Sequence, residues 1–480
     1  MRILMASTEL APIVKVGGLA DAVAALAKTV SRLGHEVTVV LPRYRAVESA
    51  GLMLARRLTP LEIDLGEAGK ISATLFDARL GSGLEVVFLE LPGLFDRDGI
   101  YDDAGKAFDD DPKRFGHFSA AVAALVKKRA AEGAAYDVVH AHDWMTALVP
   151  YWVKKVFDGG ERPRTVLTVH NAAHQGRFPR SAARELGLAE GDVHPGLFEF
   201  YGDINFLKAG LATADVVTTV SPTYAQELVT VEHGAGLEGV FAGLGSERLV
   251  GIQNGVDYAT YSPATDPHVV SRFDAEDTRN KGRCKASVLS ELGMTVDPER
   301  PLVVALGRVC LQKGSDVLAG AVRGIVRTGS LLAIAGTGEP TLVAALVEAV
   351  AAENGEAVYL GQVTEALSHR LIAGADAVVM PSRFEPCGLV QQYAQRYGAA
   401  PIVRATGGLL DTVVDCDAHL ETGTGFVFDE PTSEALVACV ARAVTAMRTP
   451  AWGTFRRRMM RLDRSWERPA RRYLRIYQAK

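Results

Sequence analysis

A chain of 480 residues with 48% hydrophobic and 23% charged residues is ordinary globular material, and it is too long for a single core. Its formal net charge of -5, with both signs mixed along the chain, excludes a nucleic-acid binder that works through a basic field. No apolar run approaches the roughly 18 residues needed to cross a membrane, and the chain opens on a strand-like run without a signal-peptide core, so a cytoplasmic protein is expected.

Short runs rich in Val, Ile and Leu alternate with segments of helical period, the pattern of parallel sheets covered on both faces. The first half offers strands near Arg2–Ala6, Glu36–Leu41, Glu85–Leu91, Asp137–Ala141, Thr165–Val169, Asp215–Val220 and Leu249–Gln253. The second offers Leu302–Leu306, Leu331–Ala335, Val358–Leu360, Asp376–Met380, Pro401–Val403 and Gly425–Phe428. Each half begins strand, loop, helix, strand, with a lysine beside glycine before its first helix: Lys15-Val16-Gly17-Gly18 and Lys313-Gly314. The expected fold class is therefore α/β, with two Rossmann-like doubly wound parallel-sheet domains facing across a deep cleft.

The expected domains are 1–255 and 256–460, divided at the turn residues Asn254-Gly255-Val256-Asp257. Residues 461–480 form an expected helix crossing back to the first domain; Trp466, Tyr473 and Tyr477 share one face of it, so the local basic run reads as a docking helix. Gly93 to Phe115 reads as a long loop, and its Asp109-Asp110-Asp111 as a solvated turn rather than a metal site. The five cysteines, Cys284, Cys310, Cys387, Cys416 and Cys439, form no C-x-x-C pair, so free thiols in a reducing compartment are expected.

Four stretches can carry chemistry. Glycines before a helix at Lys15-Val16-Gly17-Gly18-Leu19-Ala20-Asp21 let backbone N–H groups and the positive helix end meet an anion, though the spacing is neither that of a dinucleotide fingerprint nor that of a P-loop. Arg308, at a strand end, and Lys313, at a helix entry, can converge on a departing diphosphate without a metal. His140-Ala141-His142-Asp143-Trp144 and Thr168-Val169-His170-Asn171 place polar groups at the carboxyl edge of the first sheet; two histidines do not make a zinc site, and no G-x-S-x-G elbow is present. Met380 to Gln391 is a strand-to-helix crossing that carries Glu385, Pro386, Cys387 and Gly388. Asp415-Cys416-Asp417 has a metal-site form but follows a helix, and chance accounts for it.

Together these motifs resemble the bacterial glycogen synthase and plant starch synthase family over nearly the whole chain. The resemblance adds Gln175-Gly176, Phe206-Leu207-Lys208, Thr219-Val220-Ser221-Pro222, Asn254 to Asp257 and Thr406-Gly407-Gly408-Leu409 to the stretches above. It implies a retaining glucosyltransferase of the GT-B type, with no cofactor and no metal. The donor would be ADP-glucose or UDP-glucose, the acceptor glycogen or a malto-oligosaccharide, with neither nucleic acid nor membrane as partner. Lys15 and the Gly17-Gly18 backbone, with Asp21 close by, would meet the diphosphate from the first domain, and Arg308 and Lys313 from the second. Gly388 and Leu389 would offer backbone N–H groups to the distal phosphate, with Cys387 packed close or touching sugar. Glu385 would face the transferred glucose, while His170, Asn171, Asn254 and Asp143 would bind the sugar or order the groups that do. Val390, where the family has Thr, and Gln362, where it tends to an aromatic, depart from the pattern. A transferase acting on a small acceptor and a non-catalytic glucan-binding relative are the alternative readings.

Overall fold

The computed structural model describes residues 1–479 other than Ser82 and Ala104. Ala104, in the expected loop 93–115, and Lys480, at the end of the expected segment 461–480, lie outside the described residues. Contacts divide the chain into two units, Met1–Asn254 with Trp466–Lys480, and Gly255–Ser465. Among the described residues no helix is long and apolar enough to cross a membrane.

In the first unit the main sheet runs Leu249–Gly251, Val216–Thr219, Arg164–Val169, Val138–His142, Arg2–Ala6, Glu36–Pro42, Glu85–Glu90, Lys70–Arg79, Ala55–Arg56. The strands from Leu249 through Glu90 pair in parallel. Ile3 through Ala6 are fully buried, as a strand covered on both faces requires. Helix Gly18–Arg32 turns Leu19, Val23, Leu26 and Val30 inward at the 3.6-residue period. The chain leaves the central strand Arg2–Ala6 in one direction and returns at Val138–His142 on its other side, so the strand order reverses between those two. Ligand sites of open α/β sheets gather beyond the carboxyl ends of such a pair.

Three features differ from the sequence expectation. Lys70–Arg79 pairs antiparallel with Glu85–Glu90, and a separate three-stranded sheet forms from Arg177–Pro179, Asp203–Asn205 and Glu199–Phe200. These strands are partly exposed, so they lack the continuous apolar run that marks the central ones. The stretch 93–115 is not one long loop: helix Asp111–Ala131 begins within it, after a short pairing of Asp102–Asp103 with Lys106–Ala107. The aspartates there are also not a solvated turn. Asp109 is exposed, but Asp110 pairs with Arg97 at 2.8 Å, and buried Asp111 accepts from fully buried Arg114 at 2.7 Å. Arg114 needs that anion because its guanidinium has no access to water.

The C-terminal helix Glu467–Gln478 packs on helix Gly18–Arg32 and buries Ala470, Tyr473 and Tyr477. Tyr477 and His140 share a hydrogen bond, Oη to Nδ1, of 2.8 Å.

The second unit is a six-stranded sheet, every pair parallel, in the order Ala357–Leu360, Leu331–Ala335, Leu302–Leu306, Ala377–Met380, Ala400–Arg404, Phe426–Phe428. Alternate residues feed two cores: Val303 and Ala305 join one, Leu302 and Val304 the other. Here the order reverses between Leu302–Leu306 and Ala377–Met380, the strands that end at Arg308 and at the Glu385 loop.

Candidate active site

In the second unit the crossing Pro381–Leu389 is fixed from several directions. Arg383 is clamped by Asp316 at 2.5 and 2.6 Å, and Arg404 Nη1 donates to the carbonyls of Ser382 and Arg383 at 3.2 and 2.6 Å. The Arg383 guanidinium holds the Asp316 carboxyl below its ordinary range. The N–H of Gly408 donates to the Glu385 carbonyl at 2.9 Å, and a β-carbon on Gly408 would lie 2.4 Å from Cα of Cys387. Cys387 is thus a close-packed wall of the loop.

This framework holds Glu385, only 5% exposed, with one carboxylate oxygen 2.5 Å from Lys313 Nζ and 3.1 Å from Ser382 Oγ. A carboxylate this enclosed needs a charged partner, and Lys313 supplies it from the turn Leu311–Lys313. Gly314 follows at φ +68, where a β-carbon would meet the Pro381 carbonyl oxygen, so glycine is required for the two loops to touch. Arg308 is exposed at the end of its strand and forms no ion pair among the described residues. The Lys313 ammonium is therefore brought to Glu385 rather than left as a free cation beside Arg308.

Gly388 takes φ +69, and the helix Val390–Arg396 starts after Leu389. Gln391 Nε2 donates to the carbonyls of Cys387 and Gly388 at 2.9 and 3.0 Å, and Gln392 Nε2 to that of Gly388 at 3.1 Å. The loop's carbonyls are therefore turned back into the protein. The N–H groups of Gly388 and Leu389 meet no acceptor among the described residues, leaving two adjacent donors at a helix start. Val390 packs against the core cluster of Leu302 and Val378, so the residue that departs from the family pattern has a packing role here. Gln362 is exposed.

The first unit's residues are arranged differently. Lys15 Nζ pairs with Asp21 at 2.9 Å. The N–H groups of Val16 and Gly17 donate to one oxygen of buried Glu9 at 2.7 and 2.8 Å, while Tyr101 donates to the other at 2.7 Å. The Gly17 N–H expected to meet a ligand is held here by an internal carboxylate, because a loop of convergent N–H groups attracts the nearest anion. Gly18, at the first position of the helix, keeps its N–H without an acceptor among the described residues.

At the ends of Val138–His142 and Arg164–Val169, Asp143 Oδ1 accepts from the N–H of His170 at 2.6 Å and of Asn171 at 3.4 Å. Asp143 sits at φ 59, ψ -178, a region that favours glycine, so backbone strain is stored where these loops meet. Desolvation pushes its carboxyl up to about 7 against the two N–H bonds that favour the anion. His170 Nε2 lies 3.1 Å from Nδ1 of His142, and burial pushes His170 down to about 3, so its imidazole is neutral at pH 7. His140 is likewise lowered to about 3 by burial, and shares hydrogen bonds with Tyr477 and Thr168. Asn171 turns its own side chain onto the N–H of Ala173, and Asn254 is buried at the end of the unit.

The structure therefore brings Asp143, His170 and Asn171 together, and Glu385, Lys313, Cys387, Gly388 and Leu389 together. Sequence reasoning missed Glu9, Tyr101, Ser382 and His142 as partners of these groups. Tyr101 lies 92 positions from Glu9, and no local pattern links them. Among the described residues no three of His, Cys, Asp and Glu converge as metal ligands. Asp415 instead pairs with Arg442, and Asp417 caps Thr422.

A family model described as the starch synthase catalytic domain matches residues 2–243, and one described as glycosyl transferases group 1 matches residues 294–451. A glycogen synthase of Thioalkalivibrio sulfidiphilus is 40% identical over 99% of this chain and 99% of its own. Another, from Myxococcus xanthus, is 40% identical over 98% of each chain. Among solved structures, the catalytic domain of starch synthase IV from Arabidopsis thaliana, bound to ADP and acarbose, superposes with a TM-score of 0.90 at 31% identity, covering 99% of this chain and 98% of that one. Sucrose-phosphate synthase of Thermosynechococcus elongatus, at 17% identity and a TM-score of 0.61, shares the fold.

Proposed function

The chain belongs to the family of bacterial glycogen synthases and plant starch synthases, and from that premise we propose that it transfers glucose from ADP-glucose to the non-reducing 4-hydroxyl of an α-1,4-glucan with retention of configuration. The observation that carries this reading is the enclosed Glu385–Lys313 pair beside the two open N–H groups of Gly388 and Leu389. Arg308, Lys313 and those N–H groups are suited to a diphosphate that gains charge as it leaves, and Glu385 to an electron-poor anomeric carbon.

The anomeric C1–O bond to the diphosphate breaks, a new C1–O bond to the acceptor hydroxyl forms on the same face, and the hydroxyl proton passes to the departing diphosphate oxygen. The sequence offers one obvious carboxylate in this loop, whereas the covalent route of retaining hydrolases uses two about 5 Å apart, so we assign front-face departure and attack without a covalent intermediate. We assign the donor side to the second unit and the acceptor side to the first, where neutral His170, with Asn171 and Asn254, can hydrogen-bond sugar hydroxyls.

Incubation with radiolabelled ADP-glucose, and separately UDP-glucose, in the presence of glycogen tests the proposal. Label is expected in polymer that β-amylase releases as maltose, with ADP-glucose the better donor. Free labelled glucose with none in polymer, from either donor, would defeat it.

A further inference from the structure

His140 and His142 stand two positions apart on strand Val138–His142, so their side chains leave the same face, and the two ring centroids lie 4.1 Å apart. Both ring nitrogens of His140 are engaged, Nδ1 by Tyr477 Oη at 2.8 Å and Nε2 by Thr168 Oγ1 at 2.6 Å. His142 is not satisfied in this way. Its Nδ1 lies 3.1 Å from Nε2 of His170, while its Nε2 is buried and meets no partner among the described residues.

Where the ring protons sit follows from that asymmetry. Burial, and after it the neighbouring His140 and His170, hold His142 well below its ordinary range, and burial does the same to His170, so each ring is neutral and carries a single N–H. At their contact one nitrogen must donate and the other accept. If His170 Nε2 donated, the proton of His142 would be forced onto its own Nε2, leaving a buried donor with nothing to bind. If His142 Nδ1 donates, its Nε2 keeps only a lone pair. An orphaned buried N–H is the rarer of the two in folded proteins, so the proton belongs on His142 Nδ1.

His170 Nε2 is then an acceptor, and the one proton of His170 lies on Nδ1. That nitrogen meets no partner among the described residues and the ring is partly exposed, so Nδ1–H is the group that His170 has to offer a ligand. It can give a hydrogen bond to a sugar oxygen. It has no lone pair with which to take that oxygen's proton, which fits a transfer whose hydroxyl proton goes to the departing diphosphate.

We propose that His142 is a positioning residue for the transfer: it donates to His170 Nε2, fixes His170 as the Nδ1–H tautomer, and so makes His170 a hydrogen-bond donor to sugar that cannot serve as a base. This rests on the reading of His170 as a sugar-binding group given above. The test has two arms, both on the full chain. In the first, the ring nitrogens of protein carrying isotope-labelled histidine are read by NMR at pH 7 without substrate, and His170→Ala assigns the His170 signals by their loss. His170 is expected with its proton on Nδ1 and none on Nε2. A proton on Nε2, or an averaged mixture of the two tautomers, overturns the proposal. This arm needs no variant at position 142, so it decides even where such a variant fails to fold.

In the second arm kcat/KM with ADP-glucose and glycogen is measured for His142→Phe, which keeps a ring and removes the donor, for His170→Ala, and for the double variant. His142→Phe is expected to lower kcat/KM about three- to tenfold. The double variant is expected to stay within about twofold of His170→Ala, because a residue that acts through His170 then has nothing left to act on. Wild-type kinetics in His142→Phe, or losses that add in the double variant, overturn the proposal. Because the tautomer is read without substrate, an inactive protein with His170 protonated on Nδ1 defeats only the transferase reading, and an active one protonated on Nε2 defeats only this one.

Discussion

The two lysine-glycine loops look alike in sequence and are electrostatically opposite in the fold. Around Lys15 the first unit satisfies itself: Glu9 collects the loop's N–H groups, Asp21 takes the ammonium, and burial keeps His140 and His170 neutral. Around Lys313 the second unit keeps its charges and offers donors: the carboxylate goes to the lysine head, and the N–H groups of Gly388 and Leu389 stay open. Where the nearest carboxylate lands, on backbone or on ammonium, decides whether such a loop remains an anion site. The second unit is thereby suited to a charged leaving group and the first to neutral sugar.

The sharpest way to break this contrast is Glu385→Gln, which keeps shape and removes charge. If Glu385 acts as charge develops, kcat should fall on the order of 10²- to 10³-fold while KM for ADP-glucose changes little. A steady-state comparison decides it; a rise in KM alone would mean that Glu385 only holds Lys313 in place. Next in size is Gly388→Ala. The new β-carbon would lie 2.5 Å from Gln391 Oε1 at φ +69, and Gln391 is held by three bonds, so it cannot simply swing away. Donor KM should rise about tenfold and stability should fall by about 2 kcal/mol, read from urea melts alongside kinetics.

How much of this was legible beforehand follows from what each residue needs. The central strands of both sheets were readable because a strand covered on both faces must be apolar throughout, as Ile3–Ala6 and Leu302–Ala305 are. The stretch Lys70–Arg79 was not, because an antiparallel strand beyond the covered sheet can mix exposed and buried residues and leaves no continuous run. Glu385, His170 and Lys313 stood out through motif spacing, which encodes local backbone form. Glu9 and Tyr101 did not: their partnership depends on a chain separation of 92 residues that closes only in the folded unit. Asp111 was misread although its partner is only three positions away, since Arg114 is buried against the carbonyls of Leu94 and Ile100 only once the unit has folded.

The neutrality of the first unit can be sharpened by pH. Asp143 titrates near 3.8 when unfolded and at about 7 in the fold, raised by burial. Its contribution is fully present below pH 3.8, where both states are protonated. It is lost as pH rises to about 7, because the unfolded chain releases its proton first. Wild type should therefore lose stability relative to Asp143→Asn across that window and hold a constant difference above it. Denaturant midpoints of the two proteins at pH 4, 5.5, 7 and 8.5 would show it; parallel profiles would mean that the two N–H bonds from His170 and Asn171 already hold the carboxylate ionised.

The smallest expected effect is the most diagnostic for the opening contrast. Gly17 has φ -148, a backbone that any residue adopts, and a β-carbon there meets nothing within 4 Å. Its N–H is already engaged by Glu9. If the unit-one loop is satisfied internally, Gly17→Ala should change donor KM by less than about twofold and stability by no more than about 0.5 kcal/mol. A tenfold rise in KM at unchanged stability would instead mean that a ligand approaches Gly17 more closely than a methyl group allows. The glycine would then serve the substrate, as Gly388 is expected to, and Glu9 would have to release the loop when donor binds. Glu9→Gln separates those outcomes, because weakening the internal carboxylate should improve donor binding only if the two compete for the same N–H groups.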